Sequence, residues 1–254
     1  MNYTRAIVRK PCKNMIHGLT SANLGAPDFN LAQKQHAAYI KALELCGLQV
    51  TVLEADEKFP DSTFVEDTAI LNSDFAIITR PGAPSRRGEI DRIKPVLEKF
   101  YNHIEQIEAP GTLEAGDVMK VGIHYYIGLS NRTNEEGANQ LIDILNNYGL
   151  TGSKIYFHEF LHLKSGLAFL ENNALVTTGE FTDLPEFNNF NKIVVPREET
   201  YAANCLWINE TVLIAAGFPK TKQLIEAAGY QTISLDMSEF QKLDGGLSCL
   251  SLRF

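Results

Sequence analysis

The chain has 254 residues, 44% of them hydrophobic, and a formal charge of −8. That length supports one large domain with a well-buried core, and acidic residues scattered without a basic face argue against nucleic acid as a partner. No run approaches the roughly 18 apolar residues of a membrane span, and the N-terminal MNYTRAIVRKPCKN lacks the apolar core and cleavage site of a signal peptide.

The four cysteines, Cys12, Cys46, Cys205 and Cys249, are too irregularly spaced for a zinc pattern and too few for a disulfide scaffold. They point to a reduced, cytoplasmic protein. In chain order, Tyr3 to Arg9 reads as a strand. A long polar loop follows to Asn30, and loops of such length usually work as lids or binding segments. The spacing predicts an amphipathic helix from Leu31 to Cys46, with Leu31, Ala38, Ala42, Leu43 and Cys46 on one face and Gly47 ending it. Leu48 to Leu53 reads as a strand.

A repeat then begins. Thr68 to Leu71 and Phe75 to Thr79 form a hairpin around Asn72, Ser73 and Asp74, followed by a helix from about Glu89 to Tyr101. Asp117 to Val121 and His124 to Gly128 turn at Gly122 and lead to a helix carrying Ala138, Leu141, Ile142 and Leu145. Leu167 to Leu170 and Ala174 to Thr178 repeat the hairpin, as do Leu206 to Asn209 and Thr211 to Ala215 before a helix ending at Ala228. A strand–strand–helix unit of roughly 40 to 50 residues, recurring this way, predicts a solenoid or propeller. The strand at Gln231 to Leu235 and a final strand at Cys249 remain to pair with the N-terminal strand. Joining the two ends completes a fifth copy, so a closed ring in a single domain, residues 1–254, is expected.

In such a ring the loops that enter or leave each hairpin meet at one end. They bring Glu66, Asp67, Arg86 and Arg87 from the first unit, and Glu114, Asp117 and Arg132 from the second. His162 precedes the third, and Cys249 the closing strand. Cys249, behind Gly245 and Gly246, is either a small buried hydrophobe or a nucleophile at a turn that admits a ligand. A histidine titrates near working pH and can shuttle protons for a thiol. Carboxylates around that pair would destabilise an oxyanion. They suit a guanidinium carbon, held through its N–H groups against a thiolate. Arg86 and Arg132, at equivalent places after successive hairpins, suit a carboxylate at the other end of the ligand, with Arg87 an equal candidate by position. His158 to His162 also spell H-E-x-x-H, a zinc-protease pattern that needs a helix. Ile155, Tyr156 and Phe157 favour strand there, and no third ligand is apparent.

FPDSTFVED (59–67), RPGAPSRRGE (80–89), EAGD (114–117), NRTNEEG, LHLKSG, YAANC and DGGLSCLSLRF together resemble the bacterial dimethylarginine dimethylaminohydrolases, from the GLTSANLG loop to the last residue. The resemblance implies the pentein fold, an α/β five-bladed β/α propeller. It implies hydrolysis of Nω-methylated arginine to citrulline and a methylamine, with no metal or organic cofactor. Carried over by motif, Cys249 is the expected nucleophile and His162 the general acid and base. Glu114 and Asp67, with Glu66 beside them, are the expected guanidinium carboxylates, Arg86 and Arg132 the α-carboxylate clamp, and Asp61 and the main chain of Leu19 the α-amino contacts. The expected partner is a small molecule, with neither nucleic acid nor membrane, and the chain is compatible with a homodimer. The alternatives are an arginine deiminase-type hydrolase, a zinc metallohydrolase and a non-enzymatic arginine-binding protein.

Overall fold

The computed structural model describes residues 2–254. Strand β1 (Arg5–Arg9) leads to helix α1 (Phe29–Leu45) and returns as β2 (Gln49–Leu53), parallel to β1. β3 (Ala69–Leu71) and β4 (Ala76–Ile78) form an antiparallel hairpin, and α2 (Ile90–Leu97) carries the chain to β5 (Ile104–Gln106), parallel to β4. The same order recurs in β6 (Val118–Val121), β7 (His124–Leu129), α3 (Glu135–Asn147) and β8 (Thr151–Tyr156). β9 (Leu167–Phe169), β10 (Ala174–Thr177) and β11 (Asn191–Val194) follow it, then β12 (Leu206–Ile208), β13 (Thr211–Ala215), α4 (Pro219–Ala227) and β14 (Gln231–Leu235). Finally β15 (Leu252–Arg253) pairs antiparallel with β1. The result is five three-stranded sheets, each with its hairpin-type pair and one parallel strand reached through a crossover. The fifth blade is the one made by joining the chain ends.

Local chemistry sets the tight turns. Asn209 and Glu210 both have positive φ, as the two-residue hairpin between β12 and β13 requires, and Gly122 serves the same end between β6 and β7. Five clusters of buried side chains lie between successive blades. Ile7 meets Ala76 and Ile78, Ile77 meets Val118 and Ile127, Met119 meets Leu167 and Leu175, Ala168 meets Val212 and Ile214, and Leu213 meets Ala6 and Val8. Each blade therefore buries one face against each neighbour, and the ring closes without a seam.

Three details differ from the sequence reading. The unit carries an additional parallel strand, since β5 and β11 (IEQ and NKIV) are short and partly polar and show no clear period. In the third blade, β9–β11, two 3-10 turns, Gly179–Thr182 and Pro185–Phe187, replace the helix; Phe181 and Phe187 are fully buried in its place. On α1 the buried face is Ala32, Gln35, His36, Tyr39, Ala42 and Leu43, while Leu31 is exposed. The apolar pattern misses this face because Gln35 is polar yet satisfied inside, donating to Ser238 Oγ at 2.8 Å and accepting from the Glu239 N–H at 3.1 Å.

Candidate active site

A 3-10 turn precedes the first strand of every blade: Val65–Thr68, Ala115–Asp117, Leu163–Ser165, Arg197–Ala203 and Ser248–Leu250. These turns pack side by side at one end of the ring. They hold Glu66 and Asp67 in the first and His162 at the N-cap of the third, with Glu114 at the N-cap of the second. Cys249 sits in the last turn, just before β15 rather than within a strand. Leu19, Asp61, Asp67, Arg86, Arg132, His162 and Cys249 line one pocket there.

His162 is held by carboxylates. Its Nε2 lies 2.8 Å from Glu114 Oε2, and the Glu114 Oε1 accepts from the Ala83 N–H at 3.2 Å. Asp117, buried below, accepts from the Leu163 N–H at 3.0 Å and from the hydroxyls of Ser130 and Thr133. Gly116 explains how these groups come so close. A Cβ on it would sit 2.9 Å from both Asp67 Oδ1 and the His162 ring, while its N–H donates to Asp67 Oδ1 at 2.9 Å. Burial works against a charged imidazole, but Asp117, Asp67 and Glu114 outweigh it and push His162 up to about 9. For Glu114, burial is likewise outweighed. The hydrogen bond from His162 and the Arg86 guanidinium hold its carboxyl down to about 2.

Cys249 is half-buried, and its Sγ accepts from the Gly246 N–H at 3.4 Å. Burial first, then Glu66 and Asp67, push the thiol up to about 12. The paired glycines serve packing here. A Cβ on Gly245 would meet Phe64 Cε1 at 2.1 Å, and one on Gly246 would meet Asn204 Oδ1 at 2.4 Å.

The predicted residues divide. Glu66 does not line the pocket: it accepts from Lys164 at 2.7 Å, Arg253 at 2.8 Å and Ser248 at 2.9 Å, and faces a cavity along the ring axis walled by the first strands of the blades. Glu114 is wholly buried behind His162. Arg86, and not Arg87, turns into the pocket, but it is anchored by Glu89 through two hydrogen bonds of 3.0 and 2.9 Å and by Asp67 at 2.6 Å. Arg132 is freer, 3.7 Å from Glu114 and part-exposed. Asp61 accepts from the Leu19 N–H at 3.0 Å, which ties that loop to the pocket. Thr20 donates to the Lys242 carbonyl at 2.8 Å and Ser21 Oγ to Asp244 at 3.0 Å, so the loop is pinned from both sides.

The H-E-x-x-H stretch forms bends rather than a helix, and His158 and Glu159 are exposed. Its two histidines therefore do not share a helical face. Among the described residues, Asp67, Glu114 and His162 bring ligand-type atoms within 4.8 Å of one another. All three are engaged with protein partners: Asp67 with Gly116 and Arg86, Glu114 and His162 with each other. The sequence reading passed over two residues that bond to the segment leading into Cys249, Tyr201 through Gly245 and Asn204 through Ser248. The repeat itself was the available signal, since they occupy in the fourth unit the place that Glu66, Glu114 and His162 occupy in theirs.

The ring of five blades thus converges on one pocket that joins a cysteine and a histidine to carboxylates and arginines. The family model for eukaryotic N,N dimethylarginine dimethylhydrolase matches residues 27–180. The N(G),N(G)-dimethylarginine dimethylaminohydrolase of Pseudomonas aeruginosa is 53% identical over 99% of this chain and 100% of its own, and that of Streptomyces coelicolor 34% over 98% and 96%. The chain belongs to the dimethylarginine dimethylaminohydrolase family. A solved structure of the Pseudomonas aeruginosa protein, a C249S mutant complexed with citrulline, superposes with a TM-score of 0.99 at 52% identity, covering 100% of both chains. The N-terminal domain of ArgZ, an arginine dihydrolase from cyanobacteria, shares the fold at a TM-score of 0.90 with 17% identity, covering 99% of this chain and 97% of that domain.

Proposed function

We infer that this chain hydrolyses Nω-methylated arginine to L-citrulline and dimethylamine or methylamine. The observation that carries the reading is the setting of Cys249: a half-buried thiol sharing one pocket with His162 and Asp67, where negative charge favours a bound guanidinium. Complete relatives bear the same activity in their names. The C249S structure with citrulline, and a second with an H162G adduct of S-methyl-L-thiocitrulline, support Cys249 and His162 as the reacting pair.

The sequence of bond changes follows from those groups. With the guanidinium bound, the Cys249 thiol gives its proton to solvent, and the thiolate attacks the guanidinium carbon, forming an S–C bond and a tetrahedral adduct. Protonated His162 gives its proton to the methylated nitrogen, the C–N bond breaks, and the amine leaves. A thiouronium remains on Cys249. His162, now neutral, takes a proton from water; the oxygen bonds to carbon, the C–S bond breaks, the proton left on that oxygen passes to the sulfur, and citrulline departs. In this reading Glu114 orients the imidazole, Asp67 meets the guanidinium, Arg132 and Arg86 meet the α-carboxylate, and Asp61 with the Leu19 main chain meets the α-amino group. The reaction uses no metal or organic cofactor, and one domain, residues 1–254, carries it in a reduced, cytoplasmic setting.

The test is to offer dimethylarginine and arginine separately and identify the released amine, with Cys249→Ser alongside. Dimethylamine from wild type and none from Cys249→Ser is the expected result. Ammonia from arginine at comparable rate would make the chain a deiminase instead.

A further inference from the structure

We propose that Asn204 is a positioning residue of this reaction: its side-chain amide fastens the turn that carries Cys249 to the turn that follows His162. The inference rests on Cys249 and His162 as the reacting pair.

The amide is used on both sides. Its Oδ1 accepts from the Ser248 N–H at 3.1 Å. Its Nδ2 has two N–H groups, and one donates to Ser248 Oγ at 3.0 Å, the other to the Lys164 carbonyl at 2.8 Å. Ser248 is the residue before the nucleophile, and Lys164 lies two residues after the general base. One planar group thus spans the two turns whose separation sets the thiol–imidazole placement. Asn204 is 7% exposed and does not line the site pocket, so it acts through these turns and not on the substrate.

Three further features fit that role. Asn204 does not need its side chain to close its own turn, because its backbone N–H reaches the Tyr201 carbonyl. Tyr201, from the same YAANC stretch, donates its hydroxyl to the Gly245 carbonyl at 2.8 Å. The stretch therefore grips both ends of the segment 245–248, whose Gly246 N–H points at Cys249 Sγ. Gly246 can approach only because it lacks a Cβ, which would fall 2.4 Å from Asn204 Oδ1. Around the ring, the five entry turns touch in succession from Ser248–Leu250 through Val65–Thr68, Ala115–Asp117 and Leu163–Ser165 to Arg197–Ala203, and the Asn204–Ser248 bonds close the remaining gap. A misplacement of about 1 Å between reacting groups can cost a hundredfold in rate, so a bond set that fixes this distance affects turnover more than affinity.

The experiment measures dimethylarginine turnover by Asn204→Ala and Tyr201→Phe, with Ile208→Val as a control that trims the neighbouring strand without touching these bonds. Melting temperature is recorded for each. Asn204→Ala should lose at least tenfold in kcat with KM within about threefold of wild type, a split that general loosening would not produce. Tyr201→Phe should show a smaller fall of the same kind, and covers the case in which Asn204→Ala does not fold. Ile208→Val should keep kcat even if its melting temperature falls as far. A kcat loss no greater than the control's, or a KM rise with kcat intact, overturns the proposal. Cys249→Ser measured in parallel separates the two readings: if it still turns over, the chemistry assigned to the pair fails; if it is dead while the Asn204 variants are normal, only the positioning role fails.

Discussion

The Nε2 of His162 lies 2.8 Å from Glu114 Oε2, in a pocket floor where Glu114 is wholly buried. With Asp117 and Asp67 close by, this pair keeps the imidazole charged at neutral pH. In the reaction proposed above, that is the proton the departing amine needs.

Replacing Glu114 by Gln removes one of the carboxylates that raise His162. The alkaline limb of kcat, which reports loss of the imidazole proton, should move to lower pH, with KM little changed. A kcat–pH profile of wild type and Glu114→Gln checks this, and an unmoved limb would remove His162 as the acid. The sign for stability follows from the same shift. His162 is raised from 6.5 to about 9 on folding, so its contribution is complete below pH 6.5 and is lost as pH rises through 9.

Cys249 should rest as a thiol, since burial, Glu66 and Asp67 disfavour the thiolate. A guanidinium in the pocket supplies a compensating positive charge. A small cationic amidine should therefore speed alkylation of Cys249 at neutral pH, whereas a neutral ligand of the same shape should only protect it. Protection by both, with acceleration by neither, contradicts substrate-assisted ionisation.

Arg132 and Arg86 should respond differently to truncation. Arg132→Ala should raise KM, by about 2 kcal/mol or more in binding if it pairs the α-carboxylate, and leave the melting temperature near wild type. Substrates without the α-carboxylate should be poor for both forms and insensitive to the mutation. Arg86→Ala strands Glu89 and Asp67 inside the protein, a loss of about 3–5 kcal/mol of stability by the usual cost of breaking a buried pair. Chemical denaturation alongside kinetics separates the two.

Gly116→Ala should damage catalysis through packing. The added carbon would press on Asp67 and His162 at 2.9 Å, and overpacking of this kind costs about 1–3 kcal/mol. A variant with wild-type stability and wild-type kcat would show that the imidazole has room to move.

The sequence by itself determined the ring and its chemistry. Hairpins with Asn and Gly turns recur at a regular interval, and a fifth copy is split between the chain ends. Side chains of the right type stand at the entry to each unit, so Asp67, His162 and Cys249 were legible as a converging set before any coordinates. Tertiary structure decided how each polar group is spent. Glu66 and Asp67 are adjacent in sequence, yet one faces the axial cavity with Lys164 and Arg253 and the other faces the pocket. Arg86 and Arg87 are also adjacent, and only Arg86 turns inward, where Glu89 and Asp67 take most of its donors. Asn204 looks like any loop asparagine until Ser248 and Lys164 are brought to its amide from 44 and 40 residues away. Apolar periodicity reports which face of a strand or helix is buried. The partner of a buried charge or amide is set by contacts between distant segments, and a period in the chain carries no record of them.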